Sequence, residues 1–237
     1  MNLLLKFVDP QFTESTLDGR FYFCRSGYFI DLEKQQKEKG IGDSKEGSWS
    51  EYMNEDSVFV IETENGERFP LKVKSGAFFT HYEGIRNVPM CCFTFLSLEN
   101  DFYEENGNWR IKHHVIESLK EQFKDRDVLL FNPPELLERV KKFCEEKGFP
   151  MKGNLVQYYD ERQEPHPVSE QDFNMNPTKS LFFKRKFFEF QKEYKIILPD
   201  IFEEDFIPNL GDVRDITTIM NIENLKNLSL KVINPSE

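Results

Sequence analysis

The sequence predicts an α+β fold: a single domain over residues 1–237, with a mixed, largely antiparallel split sheet flanked by helices. Three observations carry that reading. Segments of helical and of strand periodicity alternate along the chain, with no shift in composition to mark a domain boundary. Val88 to Leu96 (VPMCCFTFL) is a nearly continuous apolar run, as a central strand buried on both faces requires. Asn65-Gly66 falls between two alternating runs, Ser57 to Glu62 and Arg68 to Val73, which is a strong hairpin signal.

The elements follow in order. Leu3 to Val8 is a short apolar strand. Asp9-Pro10 opens a helix, with Asp9 as N-cap and Pro10 at the first helical position, and Gly19 ends it. Arg20 to Cys24 alternates aromatic residues and reads as a second strand. Tyr28 to Lys39 is an amphipathic helix with a charged tail, and residues 40–50 are a Gly/Ser-rich loop whose Asp43 and Glu46 read either as an acidic surface loop or as residues that bind a metal or line a nucleotide cleft. After the hairpin and the central strand, Asn106-Gly107 marks a further turn. A helix over 113–124 leads to a strand at Val128 to Phe131. Pro133-Pro134 opens the clearest helix, Glu135 to Lys147, closed by Gly148, with Leu136, Leu137, Val140 and Phe143 on one stripe. Asn154 to Tyr159 reads as a strand, 160–177 as a polar loop, and Phe187 to Leu198 as a strand. Residues 200–210 read as an acidic loop, 212–227 as partly helical, and Leu228 to Ile233 as a last strand. The two polar stretches, 35–55 and 160–177, are expected to be the most mobile internal segments.

Composition narrows the function. The net charge of -11 argues against a general electrostatic grip on nucleic acid. Lys184-Arg185-Lys186 is a local exception, either a solvated turn or a phosphate contact. The 24 phenylalanines point to a core filled by rings. No run of 18 apolar residues occurs, so no membrane span is expected, and Met1 to Lys6 reads as a strand in preference to a signal peptide. The four cysteines, Cys24, Cys91, Cys92 and Cys144, lack metal-site spacing and read as buried free thiols of a reduced, cytoplasmic protein. No metal is expected. His113-His114 would diverge on a helix, His81 reads as a loop residue or part of a pocket wall, and His166, between two prolines, reads as exposed.

The most suggestive stretch is Phe187 to Leu198. On a continuous strand, Gln191 and Glu193 would share one face, where a buried amide and carboxylate are costly without a purpose. The alternative is the solvent face of an edge strand.

Several pieces in order resemble a family of bacterial and phage proteins. These are Leu5-Lys6-Phe7, Asp18-Gly19-Arg20-Phe21-Tyr22-Phe23, Gly27-Tyr28-Phe29, the Gly-Asp-x-x-Glu-Gly loop at 42–47, a Cys-Phe-Thr strand and a late Gln-x-Glu-Tyr-Lys strand. That family is similar in layout to the ADP-ribosyltransferase superfamily, including abortive-infection proteins. The resemblance implies an ADP-ribosyltransferase-like fold and NAD as substrate. It implies Glu193 as the catalytic carboxylate and Gln191 orienting the acceptor, with Lys6, Tyr22, Ser26, Tyr28 and Phe29 holding the dinucleotide. Lys6 stands where the superfamily pattern has an arginine or histidine, and Ser26 is what remains of a Ser-x-Ser pattern. On this reading the chain is an effector or toxin in phage–bacterium conflict, possessed of a protein or nucleic-acid target. The rival reading is a non-catalytic acidic protein-binding module, such as a phage-encoded inhibitor of a host defence protein. A third is a structural phage protein.

Overall fold

The computed structural model describes residues 2–36, 42–200, 202 and 204–231. The expected helix tail at 37–39, part of the loop after it and the last two residues of the expected final strand lie outside them. The elements run β1 (Asn2–Val8), α1 (Pro10–Leu17), β2 (Cys24–Arg25), α2 (Ser26–Gln36), β3 (Trp49–Met53), β4 (Val58–Glu62), β5 (Arg68–Lys72), β6 (Gly76–Thr80), β7 (Pro89–Ser97), α3 (Leu98–Asp101), β8 (Phe102–Glu105) and β9 (Asn108–Ile111). They continue with α4 (His113–Gln122), β10 (Asp127–Phe131), α5 (Pro133–Lys147), β11 (Lys152–Leu155), β12 (Gln157–Tyr159), α6 (Glu170–Met175), β13 (Phe183–Arg185), β14 (Glu193–Ile197), β15 (Thr217–Asn221) and β16 (Ser229–Leu230). No helix among the described residues is long and apolar enough to cross a membrane.

These elements form two compact units. The first comprises Met1–Arg25, Asn87–Leu155 and Phe190–Glu237, the second Ser26–Arg86 and Val156–Glu189. In the first, an antiparallel sheet has the order β11-β14-β7-β1-β10-β15, with β2 also paired to β7. The apolar run of β7 is central, as its sequence requires, and both faces of the sheet are covered. Leu4, Val8, Phe93, Leu129 and Phe131 pack with Leu136, Val140 and Cys144 of α5. Leu3, Leu5, Phe7 and Val128 on the other face pack with Val115, Ile116 and Leu119 of α4. Each such side chain, fully buried, contributes roughly 1.5–3 kcal/mol. Rings fill much of this core: Phe131 meets Phe21 at 5.7 Å and Phe93 at 6.1 Å, and Phe7 stacks on Phe123 at 4.0 Å.

Local signals position the helices as expected. The Asp9 side chain accepts a hydrogen bond from Gln11 N at 3.2 Å, Pro10 begins α1, and Gly148 closes α5 in the left-handed region at φ 72°.

Several segments differ from the sequence reading. Residues 20–23 do not join the sheet as a strand; Arg20 and Phe23 bridge Asn209 and Phe206 instead, with Phe23 N donating to Phe206 O at 2.8 Å. The expected strand 154–159 divides at Val156, because β11 pairs with β14 while β12 pairs with β13. The polar stretch 160–177 contains α6, capped by Ser169, whose hydroxyl accepts from Asp172 N at 3.1 Å. Within 212–227, Thr217 to Asn221 is strand β15, consistent with its β-branched composition.

In the second unit, β12 and β13 form a parallel pair, so the chain is mixed in strand direction. Its other β structure is a nested hairpin. β3 pairs with β6 from Trp49↔Thr80 to Met53↔Gly76, and β4 pairs with β5 from Val58↔Lys72 to Glu62↔Arg68. Residues 54–57 lie opposite 73–75, an extra residue that interrupts the ladder. There Asn54 Oδ1 accepts from Asp56 N and Asn54 O from Ser57 N, both at 3.0 Å. The base of this ribbon is anchored: Trp49 Nε1 donates to Val168 O at 2.9 Å, and Ser50 Oγ lies 3.0 Å from Tyr159 OH.

Candidate functional site

Glu193 and Gln191 do not share a strand face. Residues Lys186–Gln191 form a 3-10 helix, Lys192 takes a left-handed φ of 46°, and the ladder resumes only at Glu193. The turn at Lys192 is held by its backbone oxygen, which accepts from Phe95 N at 2.7 Å, and by its ammonium, 2.8 Å from Asp101. Gln191 is buried, and its carbonyl accepts from Thr94 Oγ1 at 3.3 Å. The Glu193 carboxylate lies 3.5 Å from the ammonium of Lys195, which is fully buried.

Lys6 turns away from Glu193. Glu193 is opposite Thr94, and Thr94 is opposite Leu5. Directly opposed residues share a face, so Glu193 goes with Leu5 and Lys6 lies on the other side of the sheet. The Lys6 ammonium is spent within that core, 3.2 Å from Cys91 Sγ, 3.3 Å from Cys92 O and 4.9 Å from the centre of the Phe93 ring. Tyr22 donates its hydroxyl to Asp205, whose other oxygen accepts from Arg25 N at 3.0 Å; desolvation and Asp205 hold the phenol above its ordinary pKa. In the second unit, Ser26 is buried and donates to Ile85 O, whereas Tyr28 is exposed, its ring edge-on to Phe29 at 5.4 Å.

The acidic loop and the basic run prove to be one device. Asp43 and Glu46, read either as a surface loop or as metal or cleft residues, are buried, and so is Lys184, expected in a solvated turn or phosphate contact. Lys184 Nζ lies 3.3 Å from Glu46, and Arg185 pairs with Asp43 and, at 3.3 Å, with Glu33. The glycines of the Gly-Asp-x-x-Glu-Gly motif let the loop lie against its neighbours. A Cβ at position 42 would meet Glu33 N at 2.4 Å, and one at 47 would meet Ile85 Cγ2 at 2.7 Å. Asp43 N donates to Phe29 O at 3.0 Å. The motif therefore braces the loop to α2 and β13.

His166 is also buried, correcting its reading as exposed. Its ring lies 4.9 Å from Tyr159 and 5.5 Å from Phe183, and Nδ1 accepts from Val168 N at 3.0 Å. Burial lowers its pKa to about 4, against the favourable backbone of Val168 and Ser48. The folded value lies below the unfolded ~6.5, so the unfolded chain binds the proton more readily. Stability from this group is level above about pH 6.5 and falls as pH drops toward 4. Urea unfolding across that window should show the slope in the parent protein and its loss in His166→Gln; equal slopes would contradict the assignment.

The outer ribbon presents a second candidate surface. Phe59, Ile61, Phe69 and Leu71 alternate onto one face and are 41–51% exposed, and Val58 and Val60 on the other face are also exposed. Thr63 N donates to Glu67 O at 2.9 Å, closing the turn at Gly66 (φ 80°). Pairs alternate from there, so Ile61↔Phe69 is hydrogen-bonded and Val60↔Pro70 is not. Val58, Val60 and Glu62 thus turn their N–H and C=O groups to the outer edge of β4. On the β5 edge, Pro70 has no donor to offer. The available signal was apolar residues in both phases of the alternation, which one buried face does not require.

No protein-family model matches the chain, and no curated protein or solved structure matches it.

Proposed function

We propose that this chain is a non-catalytic protein-binding module that takes a basic partner's edge strand onto β4. The observation that carries the reading is the ribbon of β4 and β5: an apolar face beside one edge with a regular row of outward donors and acceptors. Main-chain pairing at such an edge supplies affinity, and the neighbouring side chains supply selectivity. Contiguous exposed apolar surface of this kind marks interaction sites. The net charge of -11 opposes a second copy as occupant and favours a basic protein.

The alternation makes a sharp test. Val60→Pro removes an outward N–H but no bond within the ribbon, whereas Ile61→Pro removes one of the ribbon's own. A photo-reactive residue at position 71, introduced in cells, identifies the partner, and the purified pair is then titrated. Val60→Pro should weaken binding about tenfold or more, through one lost main-chain bond and the steric cost of a proline at the joint, while strand signals of the ribbon persist. Added salt should weaken the complex as well. Unchanged affinity of Val60→Pro would overturn the reading. So would a purified chain of doubled mass that Val60→Pro returns to a single copy, which makes the second copy the occupant.

An NAD-using, ADP-ribosyltransferase-like effector is the second reading, supported by Glu193, a largely buried carboxylate at the head of an antiparallel strand. Glu193→Gln separates the two, since a ribosyl cation needs the charge and strand capture at β4 does not.

A further inference from the structure

The second unit carries a cavity of about 430 Å³ lined by Ile30, Lys34, Ser44, Lys45, His81, Tyr82, Glu83, Ile85 and Arg86. Three stretches of chain build it. Ile30 and Lys34 are one helical turn apart on α2, so they present the same face. Ser44 and Lys45 come from the braced loop, where Ser44 N donates to Glu33. His81 follows β6, and Glu83 to Arg86 belong to a 3-10 turn. Buried Ile30 and Ile85 supply an apolar floor, and half-exposed Tyr82 supplies a ring at the rim.

The charge of this lining is opposite to that of the chain. Three cations, Lys34, Lys45 and Arg86, outnumber two anions, Glu83 in the lining and Asp31 paired to Arg86 behind it, in a protein of net charge -11. Arg86 is oriented by Asp31 at 2.6 Å, and Lys45 lies over the Phe79 ring at 4.5 Å from its centre. Both groups are thereby held in place before any ligand arrives. Burial and the charges of Lys45, Lys34 and Arg86 lower the pKa of His81, so the local field is positive at the imidazole. Cations that outnumber anions in a concavity of this size suit a phosphate, and an apolar floor with a ring at the rim suits a flat body attached to it.

We infer that this cavity binds a small phosphomonoester with a flat ring, of nucleoside monophosphate size, its phosphate among Lys34, Lys45 and Arg86 and its ring against Tyr82. The site lies within one unit and involves neither β4 nor Glu193.

The test uses the full chain with adenosine 5′-monophosphate, inorganic phosphate and adenosine as separate probes. Nuclear magnetic resonance follows the His81 and Tyr82 signals, and calorimetry follows affinity. Saturable binding of the monophosphate is expected below about 5 mM, with weaker binding of either half alone. The arriving dianion should raise the pKa of His81 against the three cations that lower it. Lys34→Gln with Lys45→Gln should weaken the monophosphate about tenfold or more. Both lysines are outside the buried core, so an unchanged melting temperature is the check that the variant folds. Absence of saturable binding, equal binding by inorganic phosphate, or binding that survives the double substitution in a folded protein would each overturn the inference.

Discussion

Lys184→Met should destabilise the protein by about 3–5 kcal/mol, because it breaks a buried ion pair by removing one partner, the ammonium 3.3 Å from the buried Glu46 carboxylate. The pair is 3.3 Å apart with both side chains almost wholly out of water, so neither ion can be rescued by solvent. The ammonium also lies 5.2 Å from the centre of the Phe188 ring, a contact that methionine largely preserves in shape. A Glu46→Leu, Lys184→Met double substitution removes both charges and should recover much of the loss, since a buried ion pair is often replaceable by apolar groups. Urea denaturation at pH 7 measures the single and double changes as a cycle. A single-substitution loss below about 1 kcal/mol, the range of an exposed pair, would show that burial does not raise the cost of breaking this one.

Gly19→Ala is the second large change, with an expected loss of about 3–5 kcal/mol. Gly19 ends α1 at φ 85°, a region that side chains disfavour. A helix stop alone would make the cost about 1 kcal/mol. Here a Cβ would stand 2.0 Å from the carbonyl oxygen of Gly211, where two stretches of backbone cross. The crossing is fastened on both sides, by Leu210 N to Gly19 O and by Val213 N to Leu17 O, each at 2.9 Å. Backbone cannot swing aside as a side chain can, so the clash must be absorbed by both of those bonds. Thermal unfolding of Gly19→Ala beside Gly148→Ala gives the contrast, since a Cβ at 148 meets nothing within 4 Å despite φ 72°. Equal losses at the two positions would remove the crossing as the cause.

What could be read in advance was local. The Asp9-Pro10 start of α1, the Asn65-Gly66 turn, the β7 run and the Pro133 to Gly148 helix each carry their signal within a few residues, and each forms. The shared face expected of Gln191 and Glu193 is lost to a 3-10 helix and one torsion. Gln191 and Glu193 have the right spacing for a shared face, but Lys192 between them turns left-handed, and lysine carries no sign of that. The acidic loop and basic run were misjudged for another reason. Each looks solvated by composition, and only the fold brings Asp43 to a partner 142 positions away. The ribbon reversed the usual inference, because apolar alternation normally marks a buried face and here it marks an uncovered one.

The sheet of the first unit has a consequence for how the chain can be made. Its neighbouring strands β14, β7, β1 and β10 come from residues 193–197, 89–97, 2–8 and 127–131. During synthesis β1 can meet β7 and then β10, but the Met90 to Thr94 stretch of β7 waits for β14, about a hundred residues later. At a synthesis rate of roughly 5–20 residues per second, an apolar edge stands open on the nascent chain for about 5–20 seconds. A ribosome that stalls before residue 193 therefore releases a half-built sheet with its stickiest strand uncovered, a natural client for chaperones.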